Sequence, residues 1–430
     1  MSHSKAPLVS PESRTSRERT AEQKAVEAEK ISKYRELEGE VRAAVARKEY
    51  SPELFQLTSK LLRTNPEYYT IWNVRRRSLI SGLLSKRSAG SSPSKASPSS
   101  SPTATTTTPF AASSSSSSTA TPPGPESAKI GRSSSTADVS DDPIPANPDA
   151  QTAAAEQKDL EVLRSELGFT IPLLMKSPKC YWIWNHRLWI LQQAIERLQV
   201  VVSRRIWEEE LGLVEKMLNK DKRNFHAWGY RRHVVSQLES PSLDGKSMVE
   251  AEFEYTTKMI RQDLSNFSAW HRRSKLIPRL LDERHADDML RKDFLDRELN
   301  FIKEKLNVGP EDYSLWYYHQ FLVLNLVSYV GHPTIAPRLT LEERTIYITR
   351  EIDDIKDLLE DYPDYKLIYE ALLDYTLSLC QVEGRQPDSV EKEQLVEWLE
   401  QLKRLDPMRD GRWTDLEKDC GLIELSFGKN

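Results

Sequence analysis

The sequence predicts an all-α protein: a right-handed superhelical crescent of about seven helical hairpins, a tetratricopeptide-like solenoid. Three observations carry that prediction. Tryptophans return at near-constant spacing, with Trp184, Trp228, Trp270 and Trp316 separated by 44, 42 and 46 residues. An aromatic stands three residues before each, and a basic residue three after. Amphipathic runs with a helical stride lie between the tryptophans. The stretches "NFHAWGYRR" at 224–232 and "NFSAWHRRS" at 266–274 show the repetition directly.

Taken in chain order, residues 1–19 are polar and are expected to be disordered. Residues 20–87 read as a charged leading helix over 20–48 followed by a first hairpin around Tyr69, Trp72 and Arg75. Residues 88–157 are built from Ser, Thr, Pro and Ala, with Phe110 as the one aromatic. Such a stretch buries too little apolar surface to offset the entropy of ordering it, so it reads as a disordered insertion. It explains why Trp72 and Trp184 stand 112 residues apart: without it the interval is again about forty.

Residues 158–415 hold the remaining repeats. Their aromatics are Tyr181, Phe225, Phe267 and Tyr313; their bases are Arg187, Arg231, Arg273 and, in the fifth copy, His319. Steps of three place aromatic, Trp and base on one side of a helix. Asn224, Asn266 and Asp312 precede the motif as N-caps, so each motif opens a helix. Before the motifs, Trp207, Leu211, Val214 and Leu218 step by four, three and four, as do Leu295, Leu299, Ile302 and Leu306 and also Ile348, Ile352, Ile355 and Leu359. That is a helix with one buried face. Weaker copies continue at 361–375 and 405–413, and residues 416–430 read as a tail. In this account Trp72, Trp184, Trp228, Trp270 and Trp316 fill seams between hairpins. Arg75, Arg187, Arg231 and Arg273 anchor loops or acidic groups of the next hairpin.

Bulk properties narrow the function. A net charge of −4 argues against a whole-chain nucleic-acid binder. Cys180, Cys380 and Cys420 fit no zinc spacing, and their sparse, odd count points to a reducing, cytoplasmic setting. No apolar run spans a bilayer, and the N-terminus lacks a secretory signal. Eight histidines form no paired metal-ligand spacing, and no phosphate loop, dinucleotide motif or nucleophile elbow is present. The chain alone is expected to be catalytically silent and to bind no metal.

One edge of the stack carries the chemistry. All motif helices start there, and helix N-termini attract anions. Lys179 and Tyr181 stand at that edge of the second hairpin; Arg223, Asn224 and His226 stand at that of the third. Such a cluster suits a diphosphate.

The segments "SPKCYWIWNHRLWIL", "NFHAWGYRRHVV", "EFEYTTKMIRQDLSNFSAWHRRS" and "LDPMR" resemble the protein prenyltransferase α subunits, and within them the Rab geranylgeranyl branch. The resemblance covers about residues 20–87 and 158–415; the serine-rich insertion has no counterpart expected in that family. It implies a crescent wrapped around a β subunit that holds the catalytic zinc and the lipid pocket. It implies transfer of geranylgeranyl from its diphosphate to C-terminal cysteines of Rab GTPases, presented by a Rab escort protein. It assigns Lys179 the catalytic role, reaching the lipid diphosphate, with Tyr181, Asn224 and His226 beside it as substrate-binding residues. Two other readings stay open: the α subunit shared by farnesyltransferase and geranylgeranyltransferase type I, and a non-catalytic helical-repeat scaffold.

Overall fold

The computed structural model describes residues 21–86, 148–327 and 334–422. Among them are fifteen α-helices and no strand. Helix α1 (Ala21–Ala46) leads. Seven hairpins follow: α2 (Pro52–Thr64) with α3 (Tyr69–Ser78), α4 (Pro148–Lys176) with α5 (Tyr181–Arg197), α6 (Val200–Lys220) with α7 (Phe225–Leu238), and α8 (Val249–Gln262) with α9 (Phe267–Glu283). The series closes with α10 (Asp288–Leu306) and α11 (Tyr313–Val327), α12 (Leu341–Asp361) and α13 (Lys366–Glu383), and α14 (Ser389–Leu405) and α15 (Asp410–Asp419). The helical solenoid is therefore as predicted. None of these helices is long and apolar enough to cross a membrane.

Two boundaries differ from the sequence reading. Residues 148–157, assigned to the insertion, belong to α4. Their "TAAAEQ" is poor in large apolar groups yet rich in good helix formers, and a helix packed further along extends through it at little cost. At the other end, α15 runs beyond 415 to Asp419, and Leu422 is fully buried, so the last hairpin takes in part of the expected tail. The disorder expected of 1–19 and of 88–147 lies outside the described residues, as does the tail beyond 422.

The tryptophans lock the hairpin turns. Each indole N–H donates to the carbonyl six residues earlier: Trp72 to Pro66 at 2.9 Å, Trp184 to Pro178 at 2.9 Å, Trp228 to Lys222 at 2.8 Å, Trp270 to Leu264 at 2.8 Å and Trp316 to Pro310 at 2.6 Å. In the sixth hairpin the phenol of Tyr369 does the same to Pro363 at 2.8 Å. All six rings are buried, so one side chain both fills the seam and satisfies a turn carbonyl that water cannot reach.

The bases form a buried ladder. Arg75 pairs with Glu166, Arg187 with Glu210, Arg231 with Glu252 and Arg273 with Glu298; His319 takes the same place against Glu351 at 3.0 Å. Each acid lies on the first helix of the next hairpin, where the sequence reading leaves loops and acidic groups both open. Four of the five also hold their own hairpin's motif helix: Glu166 meets His186, Glu210 meets Tyr230, Glu298 meets Tyr318, and Glu252 has Arg272 at 3.7 Å. Buried charges are tolerable because they are paired and hydrogen-bonded on several sides; the Arg231–Glu252 rung is the less complete one, with Arg231 Nη1 and Glu252 Oε2 buried and without a hydrogen-bond partner. Aromatics cover the guanidinium faces of Arg75, Arg231 and Arg273, with Arg75 lying 3.9 Å from the Phe55 ring centre and 4.0 Å from that of Phe169.

The insertion leaves and rejoins the stack at a clamp. Ser85 donates its backbone N–H and its hydroxyl to Asp159 at 2.7 and 2.6 Å. Arg197 donates to the Ser85 carbonyl at 3.0 Å and to Asp159 at 3.3 Å. Asp159 and the Arg197 side chain are buried. The chain is thus pinned on both sides of the long excursion.

Candidate functional site

The hairpin turns line up along one edge and are stitched to one another. Cys180 contacts the Pro66 carbonyl through sulfur, Asn224 donates its amide to Pro178 O at 3.1 Å, and Asn266 donates to Lys222 O at 2.9 Å. Ser314 donates to Ser265 O at 3.3 Å. Successive turns are therefore neighbours, and residues just before or at the start of each motif helix share one edge.

That edge gathers three of the four sequence-derived candidates. Lys179 is 72% exposed, its ammonium 3.9 Å from Asp221. An exposed pair at that distance holds a lysine loosely. Tyr181 is 56% exposed and opens α5; its ring meets Trp182 edge-on at 5.3 Å. It does not sit in a seam. His226 is half-buried in the next turn, its ring 4.0 Å from that of Phe225. Burial pushes the His226 imidazole below its usual range; Glu67 opposes this and the Lys179 ammonium adds to it. His226 is thus neutral at pH 7 and offers one N–H without charge.

Asn224 does not join them. It is 2% exposed, and its carboxamide is used up in the stitch. The oxygen accepts from the backbone N–H of His226 at 3.1 Å and of Ala227 at 3.2 Å, while the amide reaches Pro178. The place expected of it beside the diphosphate is corrected to a cap and tie that positions His226. Asn266 caps in the same way. Arg223 is also engaged, in a two-pronged pair with Asp263 at 2.7 Å.

Tyr181 and His226 line a cleft of about 360 Å³ between α5 and α7 that sequence reasoning left incomplete. Arg232 and His233 line it too. Burial lowers both, so the Arg232 charge is partly stripped of water. The signal was present: Phe225, Gly229 and Arg232 step by four and three along one face. The acids of the ladder were also missed. Glu166, Glu210, Glu252 and Glu298 each stand 18 residues before the next tryptophan, and Glu351 stands 18 before Tyr369.

Comparison with known proteins agrees with this architecture. The family described as "Protein prenyltransferase alpha subunit repeat" matches residues 51–79, 163–194, 207–238, 249–280 and 295–326, which are the five hairpins carrying the tryptophan. A Schizosaccharomyces pombe protein named geranylgeranyl transferase type-2 subunit alpha is 30% identical over 404 residues, covering 92% of this chain and 95% of the relative. The Candida albicans protein of that name is 28% identical over 412 residues, covering 90% and 91%. Among solved structures, Candida albicans protein geranylgeranyltransferase-I complexed with GGPP superimposes with a TM-score of 0.50 at 19% identity, over 90% of this chain and 89% of that one. That likeness speaks to the fold. Taken with the locked turns and the repeat spacing, the matches establish that the chain belongs to the protein prenyltransferase alpha subunit family.

Proposed function

We propose that this chain is the α subunit of a heterodimeric Rab geranylgeranyltransferase. With a β subunit it transfers geranylgeranyl from geranylgeranyl diphosphate to C-terminal cysteines of Rab GTPases, which an escort protein presents in the cytoplasm. The observation that supports this reading is a turn edge that carries exposed Lys179 just before α5, with Tyr181 and His226 lining one cleft, in a chain alignable almost end to end with type-2 α subunits. Among the described residues no three His, Cys, Asp or Glu side chains cluster as a metal ion requires. The zinc that the family resemblance implies is placed in the β subunit in this proposal, and no step of this chain's chemistry passes through it.

Lys179 acts across the interface. Its stem is mostly in solvent and its partner is loose, so the ammonium reaches a diphosphate held by the β subunit. As the carbon–oxygen bond breaks, negative charge builds on the leaving oxygens. A cation placed there stabilises that state more than the ground state, and the difference raises the rate. Tyr181 donates its phenol to a diphosphate oxygen, and His226 supplies a neutral N–H beside it.

The test is single-turnover prenylation of a Rab–escort complex by the reconstituted heterodimer. Lys179→Ala is expected to slow the chemical step roughly 10- to 1,000-fold. Lipid affinity falls much less, because the apolar chain dominates binding. Assembly is unchanged, since an exposed ion pair contributes about 0–1 kcal/mol. A Lys179→Ala enzyme with an unaltered chemical step would make the residue an ordinary surface lysine.

A further inference from the structure

Far from Lys179, the face of the motif helices holds a second cleft, of about 450 Å³, between α11 and α13. Phe267, Tyr313, Trp316 and Tyr317 form its walls. Along α11, Tyr313, Tyr317 and Leu324 lie on one stripe and are each about half exposed. Large aromatics laid bare in a row mark a surface meant to be covered.

The floor of the cleft is acidic. Glu370 and Asp374 are one helical turn apart on α13, so both carboxyls project to the same side. Both are half-buried, and neither makes an ion pair within 4 Å among the described residues. Asp374 accepts one long hydrogen bond, from Gln320 at 3.3 Å. One oxygen of Glu370, Oε1, is shut off from solvent and has no hydrogen-bond partner. Burial pushes both carboxyls up, against the more distant pull of Arg412. The nearby cations are committed elsewhere: Lys366 to Asp406 at 2.7 Å, Arg409 also toward Asp406 at 3.6 Å, and Arg412 over the Trp413 ring at 4.9 Å.

We propose that this cleft is the socket for a cationic side chain of the β subunit, an arginine above all. The inference rests on the heterodimer of the proposed function and adds where and how one contact is made. Charge complementarity selects the occupant. A planar guanidinium meets two carboxylates with its forked N–H groups while its face lies against Tyr313 or Tyr317. It supplies the missing donor to Glu370 and replaces water that the aromatic walls exclude. An apolar side chain would leave the two acids facing hydrocarbon, and an acidic one would repel them. The socket lies on the same face as the Tyr181–His226 cleft, with the intervening aromatic Phe267 touching Tyr317 at 4.9 Å between ring centres. One partner surface therefore covers both.

The experiment compares the full chain with Glu370→Gln/Asp374→Asn, each co-expressed with the β subunit of the same source. The dissociation constant of the purified heterodimer is read by dilution, and helicity by far-UV circular dichroism. The amides keep the shape of the floor and remove its charge. They are expected to weaken assembly roughly 30- to 5,000-fold, the range for a desolvated charge pair broken on one side. Glu370→Lys, which fills the socket with a cation of its own, is expected to abolish assembly while helicity stays that of the parent. If the amide variant pairs as tightly as the parent, or more tightly, the two groups are protonated acids packed against apolar surface and the socket is refuted. If the unaltered chain forms no stoichiometric complex with any prenyltransferase β subunit, the heterodimer itself falls, and the socket with it.

Discussion

Changing Glu210 to alanine removes the acid that joins the second hairpin to the third. The Arg187 guanidinium then keeps Leu167 O at 2.8 Å and Thr170 but loses both contacts to the carboxylate, at 2.7 and 2.5 Å. Arg187 is 2% exposed, so water does not replace them. Stranding one member of such a pair costs about 3–5 kcal/mol. The Tyr230 hydroxyl, which donated to Glu210 at 2.6 Å, is stranded as well. In a stack where each unit touches only its neighbours, the whole penalty falls on one joint. Amide hydrogen exchange of the full chain, in the heterodimer proposed above, is the suitable assay. Backbone amides of α5, α6 and α7 should exchange roughly a hundred- to several thousand-fold faster, while those of α12 and α13 stay near the parent. The double variant Arg187→Met/Glu210→Met removes both charges together and should recover most of the loss, because the strand of uncompensated charge is gone. Exchange unchanged by Glu210→Ala, or a double variant as damaged as the single one, would show that the ladder is ornament on a stack held by its apolar seams alone.

Two further outcomes follow from the geometry. Deleting residues 90–145 should leave prenyl transfer within about twofold, since the Ser85–Asp159–Arg197 clamp holds the two flanks without it; Asp159→Ala in the deleted chain should then weaken α4–α5 packing, and lost transferase activity on deletion alone would place the segment in assembly. The second outcome is acid sensitivity of the second hairpin. Burial holds His186 down at about 4 against a usual 6.5, and Glu166, despite burial, is held at about 2 by His186 and Arg75. Both folded values lie below the unfolded ones, so the stabilisation is complete above about pH 6.5, starts to fall below it through His186, and is lost through Glu166 as pH approaches 2. His186→Gln, which can still donate to Glu166, should flatten the thermal-stability profile between pH 6.5 and 4. A parent protein equally stable at pH 7 and pH 4.5 would contradict the assignment of His186 as a buried neutral ring.

The repeat was legible because Trp, aromatic and base sit on one helical side, and a period of three survives divergence of everything between. The leading helix and seven hairpins followed from that and from the four-three-four stride of residues such as Leu295 and Leu299. What stayed hidden needed knowledge of a second helix. Glu166 and its equivalents occupy a fixed place before the next tryptophan, yet a single run of helix gives no reason to choose that acid over its neighbours. Asn224 looked like a cap with an amide to spare; the spare amide is spent on Pro178, a contact made only when two hairpins stack. Position 148 was misplaced because alanine and small polar residues describe a linker and a helix start equally well. Lys179 was singled out through its place beside a helix start and the family resemblance, and Arg232 was passed over because its cleft is made by two helices.

The tryptophan locks give the two long margins of this protein unequal freedom to change. Along one margin the hairpin turns are gauged by a ring whose reach is fixed, so a residue added there would pull an indole off its carbonyl and displace Lys179 and His226, the groups proposed to meet the diphosphate. Along the other margin no tryptophan lock of this kind is seen among the described residues. There the links range from the two residues between α5 and α6 to the excursion between α3 and α4. New sequence can therefore accumulate on one side of the molecule, whether as a tether, a modification platform or a fused domain, while the reacting side keeps its dimensions.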